Sequence, residues 1–184
     1  MADLSPEERR DLKRFEVALA TRQFEIELFW KRSLFFWGFI AAAFVAVAAL
    51  DGKSRVVSTL VSGFGMVCSL GWTLANRGSK YWQEQWESKI AAVEDNVTGS
   101  LFKERVPAQD KGWWLSGRRY SVSRLAVAVS DYVFLVWVAV FLSEAWLAFS
   151  GTVAGDLRLL VVIVVAFLPV LYLGLLARFG RSTS

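Results

Sequence analysis

Four stretches of this chain are apolar, nearly free of charge and about as long as a bilayer is thick: 33–50, 56–74, 125–149 and 159–176. A helix rises 1.5 Å per residue, so about 20 residues cross a hydrocarbon core of ~30 Å. Lipid offers a backbone no hydrogen-bond partner, so a segment inside it must satisfy its own N–H and C=O groups, as a helix does. The expected fold class is therefore an all-α membrane protein with four transmembrane helices. At 55% hydrophobic, the chain exceeds the ~45–50% typical of a soluble domain. Its 184 residues suffice for a single membrane domain, 1–184.

The polar parts are patterned too. Residues 1–32 hold fourteen charges, too many for the start of a cleavable signal peptide. Ser5, Pro6 and Glu8 form a capping box with proline at the first helical position. Leu12, Phe15, Leu19 and Ile26 follow on one helical face. With no glycine or proline before Gly38, one helix is expected from Pro6 to Leu50. Its 45 residues would reach about 67 Å, so the N-terminal amphipathic part, 1–32, must lie outside the core. The five-residue turn 51–55 makes the first two spans an antiparallel hairpin. Beyond the second span, Trp82, Trp86, Ile90 and Val93 recur at helical spacing, with Lys80, Glu84, Glu87 and Asp95 opposite them. Region 77–124 thus reads as a helix followed by a loop. In that loop Trp113 and Trp114, with Arg118 and Arg119, resemble an interfacial anchor of aromatics and cations at headgroup depth. Pro169 falls within the fourth span, where membrane helices tolerate it.

Charge fixes the expected orientation. Eighteen of the 21 lysines and arginines fall in the N-terminal region, the middle region 77–124 and the tail; the two short turns hold the other three. The positive-inside rule then places both termini and the middle region in the cytoplasm. Only two turns remain on the far side, too little for an extracytoplasmic binding domain.

The residue inventory argues against an enzyme. There is no histidine, and the single cysteine, Cys68, allows no intramolecular disulfide and no zinc site. No Gly-x-Ser-x-Gly, Ser-x-x-Lys or phosphate-binding glycine loop occurs, so no catalytic residue, metal or cofactor is expected. Nine basic residues in the middle region are interspersed with six acidic ones, which argues against nucleic acid as a partner.

Two carboxylates, Asp131 and Glu144, lie in the third span. Each would cost about 2.5–3.5 kcal/mol at a helix centre, which makes them functional candidates. Both are shallow, however: Asp131 sits only ~5 Å inside the hydrocarbon, and Glu144 is similarly placed at the other end. Thirteen residues of helix turn them about 220° apart, which disfavours an ion path along one face. The plainer reading is that each bonds a neighbouring helix, with Arg77 or Arg124 as partners for Asp131. Small residues mark a close-packed seam, Gly38, Ala42 and Ala46 in the first span and Ser58, Ser62, Gly65 and Ser69 in the second. Large side chains such as Phe134, Trp137, Phe141 and Phe167 suit lipid contact. The stripe Trp82, Trp86, Ile90 and Val93 could receive a cytosolic partner, although packing on the amphipathic N-terminal helix is the simpler account.

The runs Arg14-Phe15-Glu16, Phe24-Glu25-Ile26-Glu27 and Trp30-Lys31-Arg32-Ser33, and above all the stretch from Trp72 to Glu87, resemble the RipA family of small octameric bacterial inner-membrane proteins. That resemblance covers about the first hundred residues. It implies a bacterial cytoplasmic membrane and a homo-oligomer of eight chains, with no catalytic residues to carry over. The expected function is a non-enzymatic, self-associating scaffold or membrane effector, partnered by the lipid bilayer and by its own copies. Two alternatives stand beside it. One is an ion channel or ion-coupled transporter using Asp131 and Glu144. The other is a membrane sensor or phage-defence component that docks a cytosolic protein.

Overall fold

The computed structural model describes residues 4–50, 53–101, 121–150, 163–164 and 166–171. Among these there is no strand. Three long helices dominate, α1 (Pro6–Leu50), α2 (Arg55–Val97) and α3 (Val122–Ser150). All three are long and apolar enough to cross a membrane. The sequence leads one to expect four spans. Most of the fourth, 159–176, lies outside the described residues, as do the loop and the anchor Trp113, Trp114, Arg118 and Arg119. The described part, 163–164 and 166–171, is helical, with Ala166 and Pro169 buried.

Serines start each long helix. The Ser5 N–H donates to Glu8 Oε2 at 2.7 Å and the Glu8 N–H donates to Ser5 Oγ at 3.3 Å, completing both halves of the capping box. The Ser54 and Ser121 hydroxyls accept from Val57 and Arg124 in the same way. At the far end of α2, Gly99 takes φ +71°, the left-handed conformation that terminates helices without a Cβ penalty.

The chain forms two compact units. One unit takes its described residues from Met1–Trp30 and Gly78–Leu125. Here the N-terminal part of α1 packs antiparallel on the later part of α2. Buried Phe15, Ala18 and Ile90 form the core, flanked by Leu19, Trp86, Val93 and Val97. Arg22 bridges to Glu87 at 2.8 Å, and the Asn96 amide donates to Asp11 at 2.9 Å. Glu84 accepts from Lys80 one turn earlier.

The other unit takes its described residues from Lys31–Arg77 and Ala126–Ser184. In it α2 is the shared element. Half of its most apolar window is buried, against 17% for α1 and 17% for α3. The core joins Ile40 and Ala43 of α1, Met66 and Trp72 of α2, Trp137, Phe141 and Ala145 of α3, and Ala166. The outward sides of α1 and α3 carry exposed Leu34, Phe35, Val45, Leu135, Leu142 and Trp146, an apolar surface suited to lipid or to other apolar helices.

Two expectations are corrected here. Trp137 and Phe141 do not face lipid; they are 0% and 3% exposed and form the centre of the core. Glycines make their room, since a Cβ on Gly65 would stand 2.5 Å from the Trp137 ring and one on Gly63 would meet Phe141 and Pro169. The small-residue seam also divides. Ser58, Ser62, Gly65 and Ser69 on α2 are all buried. Gly38 and Ala42 on α1 are exposed, with nothing within 4 Å of a Cβ built on Gly38, and Ala46 is half-buried. On α1 the inward positions are instead Ser33, Ile40 and Ala43, one face over.

Candidate functional site

The intramembrane carboxylates are the first candidates, and both are ion-paired to α2. Asp131 receives two parallel hydrogen bonds from Arg77, Nη1 to Oδ1 at 2.8 Å and Nη2 to Oδ2 at 2.9 Å. Such a fork neutralises the carboxylate and fixes its orientation. Glu144 meets Arg55 Nη1 at 3.5 Å and is largely covered, at 13% side-chain exposure. The sequence made Arg77 a candidate partner for Asp131 but gave none for Glu144. The signal was present, because a short turn puts Arg55 at the same end of the bundle as the C-terminal part of α3.

Helix geometry accounts for both pairs and for their unequal quality. Arg55 and Arg77 are 22 residues apart, about 33 Å of rise, whereas the two carboxylates are thirteen residues apart, about 20 Å. Each guanidinium must therefore lean roughly 7 Å along the helix axis to reach its acid, which an arginine side chain can do. Side chains tilt toward their own helix N-terminus. On antiparallel helices that tilt carries Arg77 and Asp131 toward each other, and Arg55 and Glu144 apart. The bidentate contact at one end and the single 3.5 Å contact at the other follow.

Between the pairs runs a file of buried polar residues on α2: Ser58, Thr59, Ser62, Ser69, Thr73 and Asn76. Several bond backbone carbonyls of their own helix. Thr59 donates to Arg55, Ser62 to Thr59 and Ser69 to Met66, at 2.8–3.0 Å. Others join helices. Trp72 Nε1 donates to Ser33 Oγ at 3.2 Å and Asn76 Nδ2 to the Ala126 carbonyl at 3.3 Å. Small hydroxylated residues let membrane helices approach closely, and a donor satisfied within the bundle needs no water. Thr59, Thr73 and Asn76 were missed by the small-xxx-small pattern, although three- and four-residue spacing along α2 was the available sign; Ser33 of α1 and Ser130 of α3 were missed as well.

The aromatic stripe lies in the other unit. Trp86, Ile90 and Val93 are used internally, packed with Phe15, Ala18 and Leu19. Trp82 is 41% exposed and stands edge-on to exposed Tyr81, ring centroids 5.4 Å apart. The Glu84 carboxyl is held below the usual carboxylate range by the hydrogen bond from Lys80, by the charge of that lysine and, least, by Arg124. Glu8 is lowered by its bonds to Ser5, the backbone N–H first. Among the described residues no group of three or more carboxylate or cysteine side chains is placed to hold a metal.

A family model described as "8xMP: Octameric membrane protein family" matches residues 12–146. The match runs through both hairpin spans and almost to the end of α3, well past the first hundred residues that carried the resemblance read from the sequence. No curated protein and no solved structure matches the chain.

Proposed function

The chain belongs to the octameric membrane protein family, 8xMP, and from that premise we propose that it works by assembly rather than by chemical conversion, as a scaffold or effector in the bacterial cytoplasmic membrane. The observation that carries this reading is the pairing of the intramembrane charges. Arg77 and Arg55 hold Asp131 and Glu144 within one chain, so the polar groups of the spans serve packing. Apolar outward faces on α1 and α3 remain for lipid and for other copies. The same pairing weighs against a path for ions through Asp131 and Glu144. In the proposed topology 159–176 is the fourth span, and both termini lie in the cytoplasm with eighteen of the 21 cationic side chains.

The test is the mass of the purified assembly in nanodiscs, measured by native mass spectrometry. A closed assembly of eight chains is expected; a monodisperse monomer would overturn the reading. Flux assays in liposomes address the competing reading. Asp131→Asn and Glu144→Gln should leave ion permeability where the wild type has it.

A further inference from the structure

The outward face of α3 has a repeat that its own chain does not use. Tyr132, Leu135, Ala139, Leu142 and Trp146 follow one another at spacings of three, four, three and four. At about 100° per residue they share some 80° of arc, on the side away from Trp137, Phe141 and Ala145 of the core. All five are exposed, the four large ones at 60–74%. The described part of the fourth apolar stretch does not cover them, since Pro169 stands with Phe141 at Gly63, on the core side of α3. A three-four alternation is the spacing by which two helices wind together with side chains interlocked. Lipid tails are as apolar as leucine, so apolarity alone does not choose between lipid and helix; spacing and shape do.

The same spacing recurs on the outward face of α1, with the sizes reversed. Phe35, Gly38, Ala42, Val45 and Ala49 are all exposed, again within about 80° of arc and opposite the inward Ser33, Ile40 and Ala43. Three of the five are glycine or alanine, and a Cβ on Gly38 would meet nothing within 4 Å. Contacts with α2 fix the relative depth of the two faces. Gly65 meets Trp137 and Asn76 bonds Ala126, so α2 and α3 run antiparallel, residue for residue. On that scale Trp72, which bonds Ser33, lies level with Ser130. Residues of α1 therefore lie level with residues of α3 about 97 positions later; the contact of Phe36 at Gly71 gives about 95, a difference of ~3 Å in depth. An offset of 97 is also the one that sets the two repeats side by side. It puts Gly38 level with Leu135, Ala42 with Ala139 and Ala49 with Trp146, small against large at both ends. Both α1 and α3 run antiparallel to α2, so they are parallel to each other.

We propose that the outward face of α3 packs in this register on the outward face of α1 of a second copy of the chain. The proposal rests on the self-association reading above and adds to it the surfaces by which neighbours meet. Copies related by rotation about the membrane normal keep every residue at its own depth, so a register read within one chain holds between two. A surface turned to lipid needs neither matched spacing nor matched sizes. Because the two faces differ, the contact is head-to-tail, and repeated contacts of that kind close a ring.

Two experiments on the full-length protein test it. In the first, Cys68 is replaced by serine, and chains carrying Ala42→Cys or Ala139→Cys are produced separately and together, then oxidised in the membrane. Facing positions of a parallel helix pair lie within the ~4.4–6.8 Å between Cα atoms that a disulfide spans. The mixture should give a linked dimer and neither chain alone should. A dimer from one variant alone, or none from the mixture, overturns the proposal. In the second, Gly38→Leu fills the α1 face without touching its own chain and should reduce the octamer fraction in nanodiscs at least tenfold. Adding Leu135→Ala makes room on the neighbour and should restore at least half of it. An octamer that Gly38→Leu leaves intact, or a loss that Leu135→Ala does not relieve, overturns this interface and leaves self-association standing. A monomeric wild type overturns both.

Discussion

Substituting Gly65 by alanine should be far more costly than the same change at Gly38, although both glycines lie within membrane-spanning helices. A Cβ on Gly65 would stand 2.5–2.6 Å from three ring atoms of Trp137. Carbon atoms in contact sit about 3.5–4.0 Å apart, so roughly 1 Å of room is missing. The indole cannot yield easily. It is 0% exposed, and Phe44 packs on it with ring centroids 4.2 Å apart. The strain must then part α2 from α3 or push Trp137 off its rotamer, and overpacking of this kind costs about 1–3 kcal/mol. At Gly38 the new methyl meets nothing within 4 Å. Both substitutions gain about 0.8–1.0 kcal/mol of helix propensity, which cancels in the comparison. Gly65→Ala should therefore unfold about 1–3 kcal/mol more easily than Gly38→Ala when purified protein is titrated with SDS in mixed micelles. Adding Trp137→Leu to Gly65→Ala should recover at least half of that difference. Equal stability of the two alanine variants, or no recovery on shortening Trp137, would refute the packing argument.

Other consequences can be checked separately. Arg77→Gln, which leaves Asp131 unpaired, should lower stability more than the double variant Arg77→Gln with Asp131→Asn, and a double-mutant cycle read by the same titration should show coupling. Phe15→Ala opens the core of the helical hairpin and should cost about 3–5 kcal/mol, whereas Trp82→Ala should cost under about 1 kcal/mol; limited proteolysis of residues 6–30 and 78–97 reports the difference. Ser5→Ala should remove about 1 kcal/mol of stability from the start of α1. The Glu8 and Glu84 carboxyls titrate lower in the folded chain than in the unfolded one. Their contribution is therefore complete above the unfolded carboxylate range near 4.5 and is lost as pH falls through their lower folded values. Carboxyl NMR titrations should show both midpoints below that of an exposed glutamate, and Lys80→Ala should return Glu84 toward it.

Helix existence and extent were the most legible features. The capping box at Ser5, the absence of helix breakers before Gly38 and the charge-free stretch ending at Leu50 define α1 on their own. The Trp82 to Val93 periodicity joins the second span to its extension as one α2. Which way a face points was less legible. Gly38 and Ala42 carry the spacing of a close-packed seam, yet the inward face of α1 is set by Ser33, Ile40 and Ala43, because Ser33 must reach the Trp72 indole. Small residues record that something approaches closely, and spacing alone does not say whether it is the same chain. Trp137 misled for a related reason. Large aromatic residues in a span suit lipid unless a partner helix has glycine opposite, and the partner of Trp137 is Gly65, 72 positions away in sequence. The ion pairs were half legible, since the shallow depth of Asp131 and Glu144 argued for local partners while the Arg55 contact depended on the bundle.

The polar file along α2 also bears on how the protein enters the membrane. Of the three long helices α2 has the least apolar window, yet it occupies the middle of its unit. Hydroxyls that bond their own backbone, as Thr59, Ser62 and Ser69 do, are partly satisfied before any neighbour arrives. Asn76 and Arg77 are not, since their partners lie on α3. During synthesis α2 leaves the ribosome with Asn76 and Arg77 respectively 50 and 54 residues ahead of Ala126 and Asp131, which complete them. It must therefore wait at the translocation machinery, hold its polar ends in the headgroup layers, or lodge provisionally against α1. Biogenesis of this chain thus has a built-in order, in which α3 inserts after α1 and α2 and secures the helix already waiting beside it.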